Sequence, residues 1–139
     1  MAGDYHPTTA GRGTIGIHRD DLSRPLTLVA TIGHELAHHL LISHKGMSTE
    51  RADSEGLTDL LTTHIGLGIM SANAQLQHQV SRTGGWSTTT LGYLSSQTYG
   101  YALARRALSM GETDPHWARY LAPNPLGYLR TSLKVLSRA

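Results

Sequence analysis

One pentapeptide of the sequence places side chains that can do chemistry at a spacing that suits a metal ion. In His34-Glu35-Leu36-Ala37-His38 the two histidines are four residues apart. Residues i and i+4 lie one turn apart on the same face of an α-helix, so both imidazoles can bind one zinc ion at about 2.0–2.1 Å. Glu35 lies beside that face and can reach a zinc-activated water. The pentapeptide therefore predicts a metallopeptidase centre, and its plain alternative is a helix with surface histidines.

A catalytic zinc needs a third protein ligand and one open position, and His44 is the first candidate. It follows His38 at the spacing of the metzincin string His-Glu-x-x-His-x-x-Gly-x-x-His, but Leu41 stands where that string has glycine. Without the glycine the helix is expected to continue, which places His44 about 240° around the axis from His38. We therefore predict that His44 ends the helix and bonds its free carbonyl groups.

Glu55 is the second candidate for the third ligand, and it comes seventeen residues after His38. A short turn at Lys45-Gly46 would make the two successive helices antiparallel, which would bring Glu55 back beside the histidines. Asp59 shares the same helix face and could accept the second ring N–H of a ligand histidine. The alternative is a solvated acidic face. Two other acidic residues of this stretch are fallback ligands: Glu50 and Asp53.

Together, His34-Glu35-x-x-His38 and Glu55-x-x-x-Asp59 resemble the gluzincin zinc metallopeptidases, the thermolysin-like group, in a short bacterial form. The resemblance covers about residues 34–59. It implies that His34, His38 and Glu55 bind Zn²⁺. It also implies that Glu35 is the general base and acid, and that Asp59 is the partner of His34.

The resemblance further implies a zincin-like helical core whose edge strand aligns a peptide substrate. We expect residues 14–18, which alternate weakly, to form that strand, and residues 1–12 to be a loose arm. Hydrolysis of a peptide bond also needs a donor for the oxyanion. Five side chains are candidates: Tyr93, Tyr99, Tyr101, His64 and His78. Because the chain has no phenylalanine, its tyrosines are also expected to serve in the core.

Hydrophobic spacing predicts a mainly α fold, of class α+β, with one short N-terminal strand or small sheet. Glycine and proline mark the ends of the elements, and residues 71–90 are polar, with Gly84-Gly85 marking a loop. The predicted helices cover residues 26–43, 50–70, 96–110, 114–121 and 124–137.

Composition limits the classes of protein that the chain can belong to. With 139 residues it is the size of one domain. The resemblance implies that residues 1–139 form a single minimal zincin-like metallopeptidase domain. The absence of cysteine excludes disulfides and thiolate metal sites. A net charge of +2 does not indicate a nucleic-acid partner, and no segment suits a signal peptide or a membrane span. We therefore expect a cytoplasmic zinc metallopeptidase acting on peptides or proteins. The alternatives are a non-catalytic, zinc-stabilised helical binding module and a basic nucleic-acid binder.

Overall fold

The computed structural model of the chain describes residues 3–81 and 94–139. It is mainly helical, with a small antiparallel sheet at its N-terminal end, as the sequence predicts. The α-helices are α1 (Pro25–His39), α2 (Ser54–Thr62), α3 (Gly68–Ser81), α4 (Ser96–Ser109) and α5 (Pro123–Leu136). The described residues also form four shorter helical turns: 3₁₀ turns at Arg19–Ser23 and His116–Tyr120, and π-helical turns at Leu40–His44 and Thr63–Leu67.

The sheet consists of two strands, β1 (Gly3–Pro7) and β2 (Gly13–Ile17), paired antiparallel. Strand β2 confirms the predicted strand to within one residue. Strand β1 shows that the prediction of a loose arm over residues 1–12 was wrong for residues 3–7. The reason is tertiary: the Tyr5 hydroxyl bonds Nδ1 of His39 at 2.7 Å, and local sequence does not encode that contact.

The second helical region also differs from its prediction. Helix α2 begins at Ser54 rather than near residue 50. Gly66, in the turn after α2, interrupts the single helix predicted over residues 50–70, with a φ of 103° that glycine adopts at little cost. Helix α3 then continues to Ser81, beyond the helix end predicted near residue 70. The loop predicted at Gly84-Gly85 lies outside the described residues. The buried face of α3 carries Ala72 and Ala74, which are too small to give the pattern of large apolar side chains that indicates a helix.

The interior has two parts of different chemistry. The apolar core cluster lies where α3, α4 and α5 meet and comprises Ala72, Tyr99, Leu103, Ala104, Ala107, Leu121, Leu129 and Leu133. The buried side chains of α1 and α2 are instead mostly polar, and the largest hydrophobic residue among them is alanine. Five of them are threonines, counting one from the turn after α2: Thr27, Thr31, Thr58, Thr62 and Thr63.

The threonines of α2 satisfy their hydroxyl groups within the helix. Thr58 donates to the carbonyl oxygen of Ser54 at 2.7 Å, and Thr62 donates to that of Thr58 at 2.8 Å. A small, self-satisfied side chain allows close packing without an unpaired polar group. Among the described helices, none combines the length and the apolar character that crossing a bilayer requires.

Candidate metal centre

Helix α1 carries the first two side chains of the centre on one face. Pro25 suits its first turn, and the helix is regular through His39. The rings of His34 and His38 stand edge to face, with centroids 4.7 Å apart, one helical turn from each other. His34 is only 2% exposed, whereas His38 is half-buried. The Nε2 atoms of both rings face Glu55 of α2.

Helix α2 adds Glu55 to this pair. Its Oε2 lies 3.0 Å from Nε2 of His34, and its Oε1 lies 3.3 Å from Nε2 of His38. The three residues can each offer one ligand atom, all within 4.8 Å of one another, which is a group able to hold a metal ion. The structure thus brings together the three side chains that the sequence predicts as zinc ligands.

Asp59 lies behind His34. Its Oδ1 accepts a hydrogen bond from Nδ1 of His34 at 2.8 Å, and the carboxylate is 1% exposed. In a neutral imidazole one nitrogen donates and the other accepts, so this bond leaves the Nε2 lone pair of His34 directed at Glu55. A lone pair and a carboxylate oxygen repel at 3.0 Å unless a proton or a metal cation lies between them. The geometry therefore suits a cation.

The donor set and its dimensions also fit zinc. Two imidazole nitrogens and one carboxylate oxygen form a known catalytic zinc set. In a tetrahedral site with bonds of about 2.0–2.1 Å, neighbouring ligand atoms are about 3.3–3.4 Å apart. Nε2 of His34 lies 3.0 Å from one oxygen of Glu55 and Nε2 of His38 lies 3.3 Å from the other, and the three ligand atoms all lie within 4.8 Å of one another. His34, His38 and Glu55 would therefore hold the ion after side-chain shifts that bring these atoms to the tetrahedral spacing.

The charges of the centre shift the pKa values of its groups. Burial alone would lower the pKa of His34, but its bond to Asp59 and the nearby carboxylates outweigh burial and raise the pKa. Burial lowers the pKa of His38, and the charge of His34 adds to this effect. Burial raises the pKa of Glu35, and the carboxylate of Glu55 raises it further. A metal ion would compete with protons for the imidazole nitrogens.

Glu35 sits beside the three ligand residues without joining them. It is 1% exposed, and its Oε1 has no hydrogen-bond partner among the described residues. Strand β1 covers it: a Cβ added to Gly3 would lie 3.1 Å from that oxygen. An unsatisfied buried carboxylate oxygen is costly for folding and is characteristic of functional sites.

A cavity of ≈ 220 Å³ opens on the centre. Strand β1, α1, the π-helical turn after it, the following loop and the first turn of α2 form its walls. The lining residues are Gly3, Asp4, Tyr5, Glu35, His38, Ile42, Met47, Thr49, Ser54 and Glu55. Residues 14–18, the predicted edge strand, are not among them. Strand β1 borders the cavity instead, next to β2.

The other predicted ligands lie away from the group. His44 is exposed, and its ring packs edge to face on His39 with centroids 5.3 Å apart. Asp53 forms an ion pair with Arg51 at 2.8 Å, and Glu50 is exposed in the loop before α2.

The candidates for the oxyanion donor fare differently. Tyr99 is fully buried in the apolar core, where it provides a large aromatic side chain in a sequence that has no phenylalanine. Neither Tyr101 nor His64 lines the cavity. Tyr93 and the side chain of His78 lie outside the described residues. Tyr5 lines the cavity, at a position where the sequence predicts a loose arm, and its hydroxyl bonds His39 and Ser43.

Comparison with protein families, with known proteins and with solved structures found no match to this chain. The resemblance to gluzincins therefore rests on its two motifs, and the function is inferred from the geometry of their side chains.

Proposed function

We propose that the protein is a zinc-dependent metallopeptidase. The observation that carries the proposal is the convergence of His34, His38 and Glu55, whose ligand atoms all lie within 4.8 Å of one another, beside the buried carboxyl of Glu35. Only three such ligand residues come together in the part of the chain that the structure describes. A structural zinc site usually has four protein ligands, whereas a catalytic one keeps a position open. The arrangement therefore favours catalysis over a structural staple.

The ligand residues would hold Zn²⁺ through Nε2 of both histidines and an oxygen of Glu55. When bound, zinc would supply a Lewis acid that lowers the pKa of water to about 7 and polarises a carbonyl group. Asp59 would hold the His34 ring in the tautomer that presents Nε2 and would make that nitrogen a better ligand. The negative charges of Glu55 and Asp59 would offset part of the charge of the ion.

Glu35 would act as the base and then as the acid. Its carboxylate accepts a proton from the attacking water and later donates it to the nitrogen of the leaving amine. Burial raises the pKa of Glu35, which suits a group that must take and return the same proton near neutral pH. A positioned acid–base group of this kind contributes about 10²–10⁴-fold to the rate.

A peptide substrate would lie along β1. This strand borders the cavity at Gly3, Asp4 and Tyr5 and pairs with β2 on one side. An extended peptide can add to a free strand edge through main-chain hydrogen bonds, with little demand on its sequence. Ile42 and Met47 give the cavity an apolar wall that a substrate side chain could contact.

Metal content and cleavage of a broad peptide library test this function together. The full chain should bind close to one equivalent of zinc, should cleave peptides, and should lose that activity to a chelator and regain it with added zinc. A purified chain that takes up no zinc would overturn the proposal. A chain that binds zinc tightly but cleaves nothing would support the zinc-stabilised binding module instead.

A further inference from the structure

The main-chain amide of Leu94 reaches the candidate metal centre from outside the helices that carry the ligands. It donates a hydrogen bond of 3.0 Å to Oδ2 of Asp59, the oxygen that His34 does not use. We propose that this amide is a positioning group for the metal centre, and that its hydrogen bond to Asp59 raises the zinc affinity. The inference rests on the zinc site of the proposed function.

Both oxygens of the Asp59 carboxylate are thereby held. Oδ1 accepts from His34 and Oδ2 accepts from Leu94, in a residue that is 1% exposed. Hydrogen bonds to both oxygens fix the plane of the carboxylate. They thereby fix the direction in which Oδ1 of Asp59 holds the His34 ring. Without the amide, Oδ2 would be left buried with one fewer donor, which carries a desolvation penalty.

Leu94 is itself held by the rest of the molecule. Its side chain packs against the apolar core cluster. The next residue, Ser95, caps α4 by accepting a hydrogen bond from the Thr98 amide at 3.1 Å. Ser96 then donates to the side chain of Gln75 on α3 at 3.1 Å. The start of α4 is therefore tied both to the metal centre and to the apolar core.

This connection makes zinc binding and the Leu94–Asp59 hydrogen bond reciprocal. Partners of zinc-bound histidine typically change metal affinity by about 10–100-fold when they are lost. By thermodynamic linkage, whatever this hydrogen bond contributes to zinc affinity, zinc contributes equally to the stability of the bond. The Leu94 amide should therefore be more strongly protected from solvent exchange when zinc is bound.

Variants at position 94 separate the amide from the side chain. Leu94→Pro removes the N–H, whereas Leu94→Ala keeps it and shortens the side chain. Zinc affinity is measured by competition with a chromophoric chelator on the full chain. We expect Leu94→Pro to weaken zinc binding by about 10–100-fold and Leu94→Ala to leave it close to that of the wild type. Equal affinities for Leu94→Pro and the wild type would overturn the inference.

Hydrogen exchange on the unmodified chain tests the same point if Leu94→Pro does not fold. Added zinc should slow exchange of the Leu94 amide by about 10–100-fold, in line with the effect of an outer partner on affinity. The Tyr99 amide, which bonds the Ser95 carbonyl inside α4, is the internal reference. Slowing of both amides to the same extent would indicate general stabilisation and would overturn the inference. A wild-type chain that binds no zinc would instead refute the proposed function.

Discussion

Nε2 of His34 lies 3.0 Å from Oε2 of Glu55, although 21 residues separate them in the chain. Because Asp59 already accepts the Nδ1 proton of the same ring, the two facing atoms need a proton or a metal cation between them. Two helices must therefore pack in a fixed register for the pair to form. Whether Glu55 is the third ligand can be tested by comparing it with His44, the other candidate that the sequence offers.

Glu55→Ala should weaken zinc binding by more than the roughly 10–100-fold that follows loss of an outer partner, because it removes a ligand atom. His44→Ala is the matched control, since His44 lies on the exposed side against His39 and should leave the affinity nearly unchanged. Competition titration with a chelator measures both. Equal losses in the two variants would reopen the metzincin-like set of ligands.

Glu35→Gln should keep zinc and the fold, because glutamine has nearly the same shape and Glu35 lies outside the ligand group. It should lower the rate of peptide hydrolysis by about 10²–10⁴-fold, since the amide cannot accept the proton of water. Turnover is compared at equal zinc occupancy, checked by elemental analysis. Hydrolysis at the wild-type rate would show that Glu35 is not the base.

Gly3→Ala should reduce turnover more than zinc binding. A Cβ at this position would lie 2.6 Å from Cγ2 of Thr31 and 3.1 Å from Oε1 of Glu35, so β1 must move away from α1. Overpacking of this kind typically costs about 1–3 kcal/mol of folding free energy. The exposed Gly127→Ala on α5 is the control and should stabilise by roughly 0.5–1 kcal/mol, because no atom outside its own helix lies within 4 Å of the added Cβ. Unchanged kinetics and stability for Gly3→Ala would contradict the placement of β1.

Gly100→Ala should destabilise the packing of α4 on α5. The added Cβ would lie 2.4 Å from Cβ of Tyr128 and 2.7 Å from the main-chain nitrogen of Leu129, and main-chain atoms cannot rotate aside. The loss should reach or exceed about 1–3 kcal/mol. Thermal or denaturant unfolding measures it, with Gly127→Ala again as reference. A variant as stable as the wild type would mean that the two helices are further apart than the structure shows.

The sequence predicts elements whose signal is local. Helices α1, α4 and α5 each carry large apolar residues at helical spacing, and their observed bounds lie close to the predicted ones. The pairing of His34 with His38 depends only on helix geometry, so it was predictable as well. Glu55 could be named because the connection between two successive helices brings the chain back beside the first, although that connection is the turn Leu40–His44 and residues 45–53 rather than the short turn predicted.

What the sequence does not predict depends on contacts between distant residues. Strand β1 is held by the bond from Tyr5 to His39 and a second bond to Ser43, 38 residues away. Gly3 and Tyr5 therefore join the cavity without any local signal. The bond from Leu94 to Asp59 was also hidden, since it uses a main-chain amide that every residue except proline has.

The threonine-rich packing between α1 and α2 has a consequence for how the molecule opens. Burial of apolar surface contributes roughly 25 cal/mol per Å², and the half that holds Thr31, Thr58 and Thr62 buries little of it compared with the cluster around Tyr99 and Leu103. Local unfolding begins where such contacts are few. In metal-free protein, the free energy of the opening that lets main-chain amides exchange with solvent should therefore be smaller in α1 and α2 than in α4 and α5. A divalent ion bound to this half would then contribute stability that burial of aliphatic side chains does not provide there.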